Sequence, residues 1–137
     1  MLIKHTISYL AVIMKFIYDL SIHFYNGLIS LAKLGGNKKA AFISDGRKDT
    51  FGKIDSFKKN TPASIALFHC ASLGEFEQAK PVIESFKRSY PEYKIVISFF
   101  SPSGFEVRKN YSFADLVIYL PSDTKKEAQR FIHELSP

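Results

Sequence analysis

Apolar residues dominate positions 2–34, a stretch with no Pro and no Gly except Gly27, and its polar side chains are phased. At about 100° per residue, Lys4, Ser8, Lys15, Asp19, Asn26, Ser30 and Lys33 fall in one narrow stripe, with His5 and His23 at its margin. That spacing predicts a single long amphipathic helix. Gly35-Gly36-Asn37 ends it, and the charged, Gly-containing residues 37–63 read as a polar connector. From Ser64 onward the period shortens. Ile65 to Cys70 is a continuous apolar run between Pro62 and the turn Ser72-Leu73-Gly74, as expected of a strand buried on both faces. Ala79, Val82, Ile83 and Phe86 then recur at helical spacing, with regular helix expected from about Lys80 because Pro is tolerated at a first helical position. A second strand follows at Ile95 to Phe100, then Ser101-Pro102-Ser103-Gly104 opens a helix running through about Asn110. The third strand, Leu116 to Leu120, stops at Pro121. Thr124-Lys125-Lys126-Glu127 has the form of a capping box, and Ala128, Phe131, Ile132 and Leu135 give the next apolar face.

Strands alternating with helices predict an α/β fold, a Rossmann-like parallel sheet over residues 64–137 with right-handed crossovers. Three strands make a thin sheet with two open edges, so the pattern suggests the front part of a longer protein. For residues 1–36 the pattern predicts a membrane anchor, in-plane or steeply inserted. A true span ranks below that, because Lys15 and Asp19 divide the apolar run into 5–14 and 20–32, whereas a span needs about 20 uncharged residues. A buried soluble helix ranks lower still. A secretory signal is a poor fit, since charges interrupt the apolar region and no cleavage site follows. Lys33, Lys38 and Lys39 stand where a cytoplasmic-side anchor carries its positive charge.

The net charge of +6 agrees with an anionic membrane surface or a phosphorylated lipid. Nucleic acid is not expected: Lys and Arg are scattered, and no recognition-helix or RNA-binding aromatic motif is present. The single cysteine, Cys70, excludes an internal disulfide and reads as a small buried hydrophobe in a reducing compartment. No ligand spacing for a metal occurs.

The three strands deliver their following loops to one sheet edge, where open α/β sheets bind ligands. There the sequence brings together Ser72, Gly74 and Glu75, then Ser101, Ser103 and Gly104, then Ser122 and Asp123. Hydroxyls, glycines and carboxylates beside helix N-termini suit a polar, anionic or sugar-like ligand. Glu75 can serve as a general base toward a bound hydroxyl, or can simply sit in the positive field of a helix start. Asp123 reads first as a helix cap, His69 as a satisfied semi-buried histidine, and Ser101 to Gly104 as a turn. No dinucleotide or phosphate-loop fingerprint is present.

At these residues the sequence resembles the N-terminal part of the Kdo transferases, which add 3-deoxy-D-manno-octulosonic acid to the lipid A precursor. The likeness runs through the apolar N-terminus, Gly46-Arg47, and the block His69 to Glu75 with its Ser-x-Gly-Glu core. It continues through Ser98 to Gly104, where the family shows a Thr-rich strand and Thr-Pro-x-Gly, and through Tyr119-Leu120-Pro121-x-Asp123. The resemblance implies the partial acceptor domain of a GT-B glycosyltransferase at the cytoplasmic face of the inner membrane. It implies Glu75 as the base that deprotonates the 6′-hydroxyl of the lipid A precursor, with inversion at Kdo and no metal or other cofactor. The donor, CMP-Kdo, is expected on a C-terminal domain of the same enzyme that this chain lacks, so the chain alone is expected to be inactive. Arg47 is expected to meet acceptor phosphates, with Ser72, Gly74, Ser101, Ser103 and Gly104 lining the site. The alternative is a membrane-anchored lipid- or sugar-binding module without catalysis.

Overall fold

The computed structural model describes the backbone of residues 2–137 and the side chains of residues 9–137, so the side chains of Lys4, His5 and Ser8 lie outside the described residues. Among these residues, five helices and three strands follow the order α1 (Leu2–Leu34), α2 (Lys38–Lys59), β1 (Ile65–Cys70), α3 (Leu73–Ser89), β2 (Lys94–Phe99), α4 (Pro102–Arg108), β3 (Leu116–Tyr119) and α5 (Lys125–Leu135). The strands form one parallel sheet in the order β1-β2-β3. Strict alternation divides their side chains between two cores. Cys70, Ile95, Ile97, Phe99 and Tyr119 pack with Phe76 and Ile83 of α3 and Phe105 of α4. Ile65, Val96 and Ile118 pack with Ile54 of α2 and with Phe131 and Leu135 of α5. A sheet buried on both faces is why its strands read as uninterrupted apolar runs.

Residues 37–63 are not an extended connector, and that expectation is corrected. Gly36, at φ +82°, closes α1 in the left-handed conformation that glycine adopts without strain. Asn37 then caps α2, its Oδ1 accepting from the Ala40 N–H at 3.1 Å. Ala40, Ile43, Thr50 and Ile54 make the buried stripe of α2. The helix lies along the outer edge of β3, where the Thr50 hydroxyl meets the Tyr119 carbonyl at 2.8 Å. One of the two edges expected to be open is therefore covered. Gly46 allows this approach, because a Cβ there would stand 2.2 Å from the Tyr119 ring. The Tyr119 ring in turn stacks on Phe105, 4.2 Å between centroids.

Two smaller expectations also change. Helix α3 begins at Leu73 rather than near Lys80, because Ser72 caps it, and Pro81 is accommodated in its interior on the exposed side. The cap of α5 is Thr124, whose Oγ1 accepts from the Glu127 N–H at 3.3 Å, and not Asp123. No described helix is long and apolar enough to cross a membrane, so a span over α1 is not supported. Nor is α1 buried against the chain: Leu10, Ile13, Phe16, Ile17, Leu20, Phe24, Leu28 and Leu31 are all exposed.

Candidate active site

The parallel sheet sends all three post-strand loops to its carboxyl edge, and a single residue stitches the first two together. The Ala71 N–H donates to Glu75 Oε2 at 2.7 Å, while the Ala71 carbonyl accepts from the Ser101 N–H at 3.1 Å. Ser72 Oγ accepts from the Glu75 N–H at 3.3 Å. Ser72 and Glu75 thus behave as a capping pair at the start of α3. The Glu75 side chain remains exposed, with one carboxylate oxygen given to Ala71 and the other open. Gly74 is also exposed, and the only atom a Cβ there would meet within 4 Å is Ser72 Oγ, at 3.8 Å. Just behind, the Cys70 thiol is buried; burial, and then the Glu75 charge, push its pKa up, so it stays a neutral thiol.

In the second loop, Ser101 Oγ accepts from the Gly104 N–H at 3.3 Å and lies 3.1 Å from Ser103 Oγ. These hydroxyls belong first to the cap of α4. Gly104 is buried, and a Cβ there would stand 2.4 Å from the Phe99 ring. The missing side chain makes room for Phe99. His69 is exposed rather than semi-buried, with Nδ1 at 3.0 Å from the buried Ser98 Oγ.

The third loop is held by α1, which crosses this edge. Asn26 Nδ2 donates to Ser122 Oγ at 2.6 Å, and the Tyr18 hydroxyl donates to Asp123. Arg47 links α1 to the second loop, and its Nη1 donates to Asn26 Oδ1 at 3.5 Å. Its guanidinium lies 4.9 Å from the Phe100 centroid and 5.7 Å from that of Tyr25, two rings that stack on each other at 6.1 Å. Its Nε is buried with no hydrogen-bond partner. Tyr18, Tyr25 and Phe100 were not legible as site residues. Asn26 carried a signal, since it belongs to the polar stripe of α1. Among the described residues no group of three or more His, Cys, Asp or Glu side chains is placed to hold a metal ion.

A carboxylate at the carboxyl end of a parallel strand, at the start of α3 and with the capped start of α4 opening from the next loop, defines an α/β protein with a polar edge. Residues 45–137 match the family model described as 3-deoxy-D-manno-octulosonic-acid transferase (kdotransferase), and the chain belongs to that family. A 78-residue stretch is 35% identical to the 3-deoxy-D-manno-octulosonic acid transferase of Haemophilus influenzae, covering 56% of this chain and 18% of that protein. No solved structure matches the chain significantly. The family match begins inside α2, so α1 lies outside it.

Proposed function

We propose that this chain is the acceptor-side part of an inverting glycosyltransferase of lipopolysaccharide biosynthesis, which transfers Kdo from CMP-Kdo to the 6′-hydroxyl of the lipid A precursor. The observation that carries the reading is Glu75, an exposed carboxylate fixed at the carboxyl end of β1 within the family's matched residues. One oxygen is anchored on the Ala71 N–H and the other is free to take the acceptor's proton as the hydroxyl attacks the anomeric carbon of Kdo. The bond from Kdo to CMP breaks on the opposite side, and CMP leaves with the electron pair. Arg47, always cationic, suits an acceptor phosphate, while Ser72 and Gly74 leave room beside the base. In this reading the domain is the Rossmann-like first half of a GT-B enzyme, and the donor is held by a second such domain. The exposed apolar face of α1 keeps the site at the cytoplasmic face of the inner membrane, where the acceptor's acyl chains reside.

The competing role of Glu75 is purely that of a cap, as in a binding module without catalysis. Glu75→Gln separates the two, because Gln also offers an oxygen to the Ala71 N–H. In a full-length member of the family carrying this domain, the variant should fold and bind acceptor while transfer falls by about 10²-fold or more. Transfer at the parent rate would overturn the assignment.

A further inference from the structure

Helices α1, α2 and α5, with Ser122 of the loop after β3, border an open cleft of about 380 Å³. Its volume is in the range of small-molecule sites, and its lining is unusual in charge. Arg47 and Lys48 of α2 and Arg130 of α5 line it, together with Ser44, Ser122 and one carboxylate, Glu127. Arg130 is already paired with Glu134 at 2.6 Å and lies over the Phe51 ring at 3.9 Å. Arg47 and Lys48 have no ion pair among the described residues, and Arg47 additionally holds its buried, unpartnered Nε. Three cationic side chains line this one cleft with a single carboxylate among them, a lining whose charge an anion complements. A tetrahedral phosphate matches this set, since guanidinium groups bind its oxygens in pairs, an ammonium adds a point charge and hydroxyls complete the shell.

We propose that the cleft between α1, α2 and α5 is a phosphate-binding site, with Arg47, Lys48 and Arg130 as its cations and Ser44 and Ser122 as its hydroxyl donors. The phosphate belongs either to a membrane lipid headgroup or to a free phosphorylated sugar; the recognition chemistry is the same. The proposal deepens the acceptor reading and rests on it for the use to which the phosphate is put. Two features single out this site. One wall is α1, so the phosphate seats directly beneath the helix whose opposite face is apolar. The Asn26–Ser122 hydrogen bond fixes that wall to the sheet edge, so the cleft keeps a set spacing from the loops around Glu75.

The test is calorimetric titration of the full 137-residue chain, kept in a non-ionic detergent, with inorganic phosphate and with glucosamine 6-phosphate, and flotation with phosphatidylglycerol vesicles. Lys48→Gln and Arg130→Gln should each weaken binding of whichever phosphate probe the parent takes, by about tenfold. Glu127→Gln should tighten it, a gain that a merely structural role does not give. Lys125→Gln, which removes an equal charge from the same helix outside the cleft, should leave it unchanged. Binding of the free sugar phosphate that depends on Lys48 identifies a monoester, and binding of vesicles alone with that dependence identifies a headgroup; both support the site. Lys48 is exposed and unpaired, so its variant stays informative if Arg130→Gln unfolds. Parent affinity in Lys48→Gln, or no binding of any phosphate probe by the parent chain, would overturn the proposal. Neither result bears on Glu75, whose loss of transfer is read separately.

Discussion

At the residue scale, glycines decide how closely the parts of this molecule approach. Gly46 and Gly104 each face an aromatic ring at a distance no Cβ tolerates, Tyr119 in one case and Phe99 in the other. Gly46 sits beside Arg47, so the close approach of α2 to Tyr119 and the placing of Arg47 are one requirement. Gly46→Ala should force the Tyr119 ring or α2 to move and cost about 1–3 kcal/mol, read as a lowered midpoint in urea with an unchanged slope. Tyr119 has little freedom to yield. Its ring is stacked on Phe105, and burial, then the Glu106 charge, push its phenol up to about 12. A variant as stable as the parent would mean that α2 does not hold the β3 edge as closely as described. Gly74 is different: a Cβ there would meet only Ser72 Oγ, at 3.8 Å, so packing does not demand its smallness.

At the scale of elements, the strands were legible and α2 was not. Ile65–Cys70 and Ile95–Phe99 are apolar at nearly every position because both sheet faces are covered, and their short length between turn residues marks them as strands rather than helix. Helix α2 buries Ala40, Ile43, Thr50 and Ile54 at helical spacing, but Gly46, Gly52 and many charges dilute the stripe, and a threonine occupies one of its buried positions. Tertiary burial against a sheet edge, not local pattern, makes it a helix. The candidate site divides in the same way. Glu75 and Ser72 were readable because a turn directly after a strand fixes where they lie, whereas Tyr18, Tyr25 and Phe100 meet across separations that leave no local trace. Thr50 tests how much α2 contributes. Thr50→Val keeps the shape and leaves the Tyr119 carbonyl without its partner, a loss of about 1–3 kcal/mol. Amide exchange should show it first at Thr50's neighbours and along β3. Unaltered protection there would mean that the edge is sealed by apolar contact alone.

At the scale of the whole molecule, α1 works in two directions at once. One face is docked: Tyr18 on Asp123, Asn26 on Ser122, Tyr25 on Phe100 and Lys33 on Asp45. At about 100° per residue, Ile13, Leu20, Phe24 and Leu31 project from the opposite face, and all four are exposed. In the proposed membrane reading, an apolar strip of that length, tied to the loop after β3, would set the depth and tilt of the carboxyl edge at a bilayer surface. Lys15 and Asp19, which interrupt the apolar run, lie on or beside the docked stripe and not on the strip. Leu20→Glu with Phe24→Glu should therefore abolish flotation with phosphatidylcholine–phosphatidylglycerol vesicles while leaving far-ultraviolet dichroism unchanged. Burying either side chain is worth about 1.5–3 kcal/mol, so the pair should lower partitioning by well over tenfold. Charge attraction by the basic surface predicts the reverse pattern, with flotation lost in high salt and indifferent to the two substitutions. Flotation that survives Leu20→Glu and Phe24→Glu would remove α1 as the proposed membrane contact.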